Sequence, residues 1–399
     1  AALLDSSPID VTASTSKVSV LRSAVPFHEK LILFSDHTQF VLDAQPFLSP
    51  KTVSISVSTD YGNLPLVKPA VSGKGIYFGF ARSGFSGLGQ LVISDQDADL
   101  IEGVEVTSHV PKYLQGTIRR ITAAATEDIL ACVTDDVTSA TIYVYKYFNN
   151  AQGQKVQSAW FKYVLGGTND FIPDISFIGN VLYLIIRRGD DMFLESITFE
   201  DDLKGVGLDY NVHLDRRLYH DAAATAAENL PLAITSGNSV TLPYTVTAAT
   251  TMLLCTNDTP LTSSTVGTTT FTAPSSISLA TENWYVGDAF TMDYTFSQPF
   301  LKSEKATESG RYQIMRGILS YANARAFTVD VTHNPLRLAP TKHTISSSFA
   351  AGQSLAGTAD LASGVYKFGI QEKSESLQIG LKNSHLFPAD FLGIDYEAT

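Results

Sequence analysis

The chain has 399 residues, 44% of them hydrophobic and only 17% charged, and 28 basic side chains against 40 acidic give a formal net charge of −12. That length exceeds what one hydrophobic core usually organises and predicts two or three domains. So acidic a balance excludes a chain built to grip nucleic acid, which it would repel, and no run approaches the ~20 apolar residues of a membrane span.

The first elements are strands. After a Ser/Thr-rich lead, Lys17–Leu21 is expected as a strand, and Phe27 to Leu42 (FHEKLILFSDHTQFVL) then reads as a hairpin. Its apolar runs Lys30–Phe34 and Gln39–Leu42 face each other across the turn residues Ser35-Asp36-His37-Thr38. Pro46 and Pro50 close that hairpin, and Thr52–Ser58 alternates Val53, Ile55 and Val57 with Ser and Thr, the period of a half-buried strand. The hairpin pattern then returns three times. Ile76–Phe80 and Leu91–Ile93 flank a Gly/Ser/Arg loop, Ile129–Val133 and Thr141–Tyr147 flank a polar turn, and Val181–Ile186 and Met192–Phe199 flank Arg187 to Asp191. With Leu31, Tyr77, Leu130 and Tyr183 at equivalent positions, the unit recurs about every 50 residues, the signature of a β-propeller or a similar β-array.

Between the repeats, the stretch from Ser94 to Gly116 reads as an acidic segment followed by a short helix, with Gly116 as its C-terminal cap. Ile118–Ala125, Val156–Leu165 and Ile175–Ile178 complete the strands of the third and fourth units. From Asp221 to Asn283 the texture changes to an Ala-rich start, expected as a short helix, followed by a Thr/Ser/Ala-rich tract with strands at Val240–Val246, Thr251–Cys255 and Thr268–Phe271. Long strands resume at Trp284–Ser297, then at Arg311–Tyr321, Ala326–Val331, Val365–Ile370, Leu377–Leu381 and Phe391–Tyr396. The expectation is an all-β protein. Residues 1–204 form propeller-like blades of repeated antiparallel hairpins, 205–284 form a projecting Thr/Ser-rich β insertion, and 285–399 form a C-terminal antiparallel β-domain or closing blades.

Candidate chemistry is sparse. Asp95, Asp97 and Asp99 open like a calcium loop, but an EF-hand then needs Gly and Glu where this chain has Leu100 and Val106. Glu102 and Glu105 are left to complete a different oxygen cage, and a solvated acidic loop is the plainer reading. His213, Asp215, His220 and Asp221 crowd together, yet their spacing matches no zinc signature and two Arg stand between them. His28-Glu29 and Asp36-His37 sit at either end of the first hairpin as potential acid–base pairs. Gly84-Phe-Ser86-Gly87-Leu-Gly89 lacks the second Gly of a nucleophile elbow at position 88 and reads as a flexible hairpin loop. Asn257-Asp-Thr259 is a glycosylation triplet without a secretory context. Cys132 and Cys255, far apart in strand-like runs, are expected as buried free thiols in a chain that folds under reducing conditions. No catalytic, cofactor-binding or metal-binding residue is assigned.

Several stretches resemble the tail tubular protein B family, the tail nozzle of T7-like short-tailed bacteriophages. They are residues 5–42, GIYFGFARSGFSGL (75–88), VTSHVPKYLQG (106–116), IYVYKYF with KVQSAWFKY (142–163) and FIGNVLYLIIRRGDDMFLE (177–195). In the second half, YVGDAFTMDYTFSQPFLK (285–302), GRYQIMRGILSYANARAF (310–327) and LKNSHLFPADFLGIDYE (381–397) continue the likeness. The family's proteins are longer at the amino terminus, and a chain opening AALLDSSPID resembles their carboxyl-terminal portion. The resemblance implies a non-enzymatic virion protein, assembled in the host cytoplasm as a homohexamer. It would sit below an adaptor ring of the tail tubular protein A type, meet tail fibres, and face the host envelope at its tip. Double-stranded DNA would pass through without sequence-specific binding. Acidic walls suit that task, because a conduit for a polyanion must not adhere to it. Two other readings stay open: a propeller that binds or hydrolyses host surface glycans, for which Trp160 and Trp284 are the only Trp, and a protein-binding scaffold propeller.

Overall fold

A computed structural model describes residues 7–13, 18–44, 47–73, 75–93, 101–124, 126–150, 155–165, 170–199, 205–225, 232–246, 251–255, 260–263, 267–299, 301–302, 307–308, 312–333, 341–346 and 361–399. The described elements are strands, apart from one turn of 3-10 helix at Ser374–Ser376, so the all-β expectation holds. The chain divides into two compact units, Ala1–Glu200 and Asp201–Thr399.

The first unit is a succession of antiparallel sheets. Sheet 1 runs β1 (Leu21–Phe27), β2 (Lys30–Ser35), β3 (Gln39–Ala44), β4 (Val53–Thr59). Sheet 2 runs β5 (Ala70–Ser72), β6 (Gly75–Arg82), β7 (Phe85–Ile93), β8 (Ile101–Glu105), with the short β9 (Leu114–Gln115) also on β7. Sheet 3 runs β10 (Ile118–Ala123), β11 (Ile129–Thr134), β12 (Thr141–Asn149), β13 (Lys155–Val164). Sheet 4 has three strands, β14 (Phe171–Ile178), β15 (Val181–Arg188) and β16 (Asp191–Thr198). Sheets 1, 3 and 4 are meanders in chain order, as is sheet 2 through β8, and the four hairpins legible in the sequence are β2–β3, β6–β7, β11–β12 and β15–β16.

Side-chain alternation stacks these sheets face to face. Ile32, Phe34 and Val41 of sheet 1 meet Ile76, Phe78 and Leu91 of sheet 2. Tyr77 and Leu88, from the other side of sheet 2, meet Leu130, Cys132, Tyr143 and Tyr145. The intervening residues of those strands, Ile129, Ala131, Val133, Ile142 and Val144, pack on Ile175, Leu182, Leu184 and Ile186 of sheet 4. Covered on both faces, β11 is buried at every position, and its sequence ILACVT is accordingly an unbroken apolar run.

Four expectations are corrected. No helix forms between Ile101 and Gly116: Ile101–Glu105 is the outer strand of sheet 2, turns follow, and Gly116 (φ +80°) sits in a turn rather than capping a helix. Of the strand expected at Lys17–Leu21, Lys17 lies outside the described residues and the next three are not in a strand; β1 begins at Leu21 and pairs with β2 through a tight turn at His28-Glu29. The strand expected at Ile175–Ile178 starts at Phe171, since a register shift between Phe171 and Asp174 accommodates Pro173. The Ala-rich stretch opens with turns over 221–225, and the rest of that expected helix lies outside the described residues.

In the second unit, Trp284–Asp288 pairs with both Asp215–His220 and Thr251–Cys255, and Pro260–Ser263 extends that sheet. Ala233–Ser236, Ser239–Thr241 and Thr270–Thr272 form a small sheet of their own. The strands Gln313–Ala324, Ala362–Lys373 and Asp390–Ala398 form one sheet, and Met292–Thr295, Ala326–His333, Thr341–Ser346 and Leu377–Asn383 form another. These two share a core that includes Leu319, Phe368 and Ile370 with Phe327, Val329 and Leu381.

Candidate functional site

Most of the side chains that drew attention in the sequence are, where described, engaged in holding the fold. His28 and Glu29 make the β1–β2 turn with φ of 45° and 59°, and Asp36-His37 lies in the next turn. β2 separates the two pairs by about 20 Å of strand rise, so they form no acid–base couple. Asp36 takes an ion pair from Arg22 at 2.8 Å, and that hydrogen bond holds its carboxyl below the usual carboxylate range. Of the expected oxygen cage, Asp95, Asp97 and Asp99 lie outside the described residues. Glu102 is exposed on β8, while Glu105 pairs with Arg82 at 2.6 Å and accepts a bond from Thr107 Oγ1 at 3.2 Å.

His213, Asp215, His220 and Asp221 do not converge on a point. The His213 backbone N–H donates to the Leu386 carbonyl at 2.8 Å, and burial pushes its imidazole pKa down. His220 stacks on Trp284 with ring centroids 4.8 Å apart and planes 5° from parallel, its Nδ1 3.2 Å from the Glu282 carbonyl. Asp221 accepts the Ala223 N–H at 2.9 Å, as a turn residue does. The two arginines between them bind elsewhere. Arg216 Nε donates to Asp288 at 2.7 Å and its guanidinium lies 4.0 Å over the Tyr244 ring, whereas Arg217 donates to the Val212 carbonyl at 3.0 Å. Among the described residues, no group of three or more His, Cys, Asp or Glu is arranged to hold a metal ion.

The Gly84–Gly89 stretch, expected as a flexible loop, is a tight turn at Ser83-Gly84 followed directly by β7. Ser86 is buried, donating to the Gly116 carbonyl and accepting the Ile118 N–H, each at 2.9 Å, so its hydroxyl is a structural tie and not a nucleophile. Cys132 is fully buried, and burial pushes its thiol up to about 12. The side chain of Cys255 and the Asn257 triplet lie outside the described residues.

Polar groups that the sequence did not flag tie successive sheets together. Ser58 Oγ of sheet 1 donates to the Ile101 carbonyl of sheet 2 at 3.1 Å. Ser72 and Tyr147 hydroxyls meet at 2.9 Å, and Lys155 Nζ donates to Gln90 Oε1 at 2.8 Å, both between sheets 2 and 3. Arg120 grips Asp174 through two bonds of 2.5 and 2.7 Å between sheets 3 and 4. Arg188, nearly buried, holds Glu195 through bonds of 2.8 and 2.9 Å and reaches back to the Leu165 carbonyl at 2.5 Å. Bidentate arginine–carboxylate pairs add geometric specificity to the stacking.

A family model described as bacteriophage nozzle protein matches residues 1–399, the full chain. A curated relative, the tail tubular protein gp12 of Escherichia phage T7, is 25% identical over 425 residues, covering 99% of this chain and 50% of its own length. The chain therefore spans about half the length of that relative. Among solved structures, the AfRom2 CNH domain covers 92% of this chain and 94% of its own at 11% identity, with a TM-score of 0.29. With a family match running from end to end, the chain belongs to the bacteriophage nozzle protein family.

Proposed function

We propose that this chain is a structural protein of the tail nozzle of a short-tailed phage, a virion component that surrounds and guides the genome as it leaves. The observation that carries the reading is the family match along all 399 residues. The relative it also matches is a tail tubular protein. Copies assemble into a homohexameric tube that joins an adaptor ring above, meets the fibres at its side and faces the host envelope at its tip. On this reading the Thr/Ser-rich segment 205–284 belongs to the tip. The protein performs no catalysis. Its chemistry is that of a passive wall: a net charge of −12 per copy repels DNA phosphates, so the duplex slides without adhering. Stacked sheets tied by Arg120–Asp174 and similar pairs give that wall stiffness. Mass spectrometry of purified virions, with gold-labelled antibody against this chain, tests the reading. The protein is expected in the particle with label at the free end of the tail; its absence from virions contradicts the proposal.

A further inference from the structure

We propose that the turn from Ser384 to Ala389, between the strands Leu377–Asn383 and Asp390–Ala398, is an acid-sensitive latch: it closes on the segment Tyr210–Leu214 while His213 and His385 are neutral and lets go when they take up protons. The latch has few parts. Leu386 and Phe387 are buried with Tyr210, Val212 and Leu214, and Leu254 and Tyr285 belong to the same cluster. The Tyr210 and Phe387 rings lie 5.4 Å apart between centroids. Across the contact, the His213 backbone N–H donates to the Leu386 carbonyl at 2.8 Å. Within the turn, Asn383 Nδ2 donates to the Phe387 carbonyl at 3.0 Å, and its Oδ1 accepts the His385 N–H at 2.9 Å. Two apolar anchors and a backbone hydrogen bond make a contact that can open while the flanking sheets stay folded.

Charge around the latch is lopsided. His213 is faced by Arg217, from the strand Asp215–His220, and by Asp390, at the start of the strand Asp390–Ala398. His385 is faced by Arg325, whose guanidinium lies 4.0 Å over the Phe387 ring. The tyrosines packed in the cluster, Tyr210, Tyr219 and Tyr285, are phenols, which do not change charge between about pH 5 and 8. Among the described groups facing the two histidines, Asp390 is the carboxylate, and it already accepts the Asn323 side-chain amide at 2.9 Å. Protonating both histidines in the closed latch would set Arg217, Arg325 and two imidazolium cations against Asp390, where burial already disfavours charge. In the open latch both imidazoles reach water and titrate near pH 6.5. The open state therefore binds protons that the closed state refuses. Closure is favoured above that value, weakens as pH falls through it, and stops weakening below the lowered closed-state values. Each histidine makes opening up to about tenfold easier per pH unit in that window. His213, half-buried, contributes more than the exposed His385. Release frees the segment that leads into the Thr/Ser-rich tract from the C-terminal strands, and the inference does not depend on the nozzle reading.

The test is hydrogen–deuterium exchange read by mass spectrometry at about pH 7.5 and about pH 5.5, with rates corrected for the intrinsic pH dependence of amide exchange. In the wild type, corrected exchange in peptides spanning 210–214 and 384–389 is expected to rise at least about fivefold at the lower pH, while the strand Gln313–Ala324 stays unchanged. The double variant His213→Gln/His385→Gln is expected to lose that rise and to match the wild type at the higher pH. Should the double variant fail to fold, as circular dichroism would report, His213→Gln alone is expected to lose most of the rise. A smaller rise in the wild type, an equal rise in Gln313–Ala324, or a full rise that survives in the histidine variants overturns the latch.

Discussion

Gly87 and Gly89 face Phe80 and Phe78 across the β6–β7 pair, and a Cβ on either would lie 2.2 or 2.4 Å from the opposing ring. Those rings are packed in the core between sheets 1 and 2 and have little room to yield. Gly89→Ala is expected to cost about 2–3 kcal/mol by overpacking. Gly84→Ala, with φ +86° and nothing within 4 Å of a new Cβ, should cost only the left-handed strain of about 1 kcal/mol. Urea unfolding checks the difference, and equal losses would refute it. The same residues explain a failure of sequence reading. GFSGLGQ looks like a loop because Gly weakens a strand by itself, and only the register that sets Gly-x-Gly against Phe-x-Phe shows why this one is a strand. His28-Glu29 hid its turn because Glu29, at φ 59°, is not a usual occupant of positive φ. A pH effect also belongs at this scale. Burial, reinforced by Arg217 and opposed by Asp390, pushes the His213 pKa down, and burial with Arg325 does the same to His385. The unfolded chain therefore takes up protons first, near pH 6.5, so stability falls as pH drops through that value and levels off below the native pKa. Replacing both with Gln should flatten the stability profile between about pH 7 and 5; an unchanged slope in chemical denaturation would show that other groups govern it.

At the scale of elements, the hairpins were legible because their strands are covered on one or both faces and so spell out period-two or unbroken apolar runs. The legible core ended where punctuation misled. Pro173 concealed the first half of β14, and the acidic lead before Ile101 disguised an edge strand as a helix. The ties between sheets were not legible, since Arg120 and Asp174 lie 54 residues apart and only the stacking brings them together. Arg188 is the most buried charged side chain among these ties, at 9% exposure. Arg188→Met would leave Glu195 without its partner and the Leu165 carbonyl without its donor, a loss of about 3 kcal/mol. Guanidinium denaturation should show that loss, with Arg188→Met/Glu195→Gln recovering part of it. A single variant as stable as wild type would mean the tie is ornamental.

For the whole molecule, the two units of about 200 residues carry a family identity and an acidic surface but no assembled set of reactive groups among the described side chains. The repeat every ~50 residues, visible in the sequence, became four meandering sheets in chain order. Passive handling of DNA predicts no retention of double-stranded DNA on immobilised protein at physiological salt, with no gain in retention as salt is lowered modestly; steep salt-dependent binding would contradict it. The central claim, a structural subunit whose copies close around a passage, is met most directly by electron microscopy of the purified protein viewed down its assembly axis. The account predicts sixfold rings with an open or plugged centre. Isolated single chains at every concentration, or an open filament without rotational closure, would contradict it.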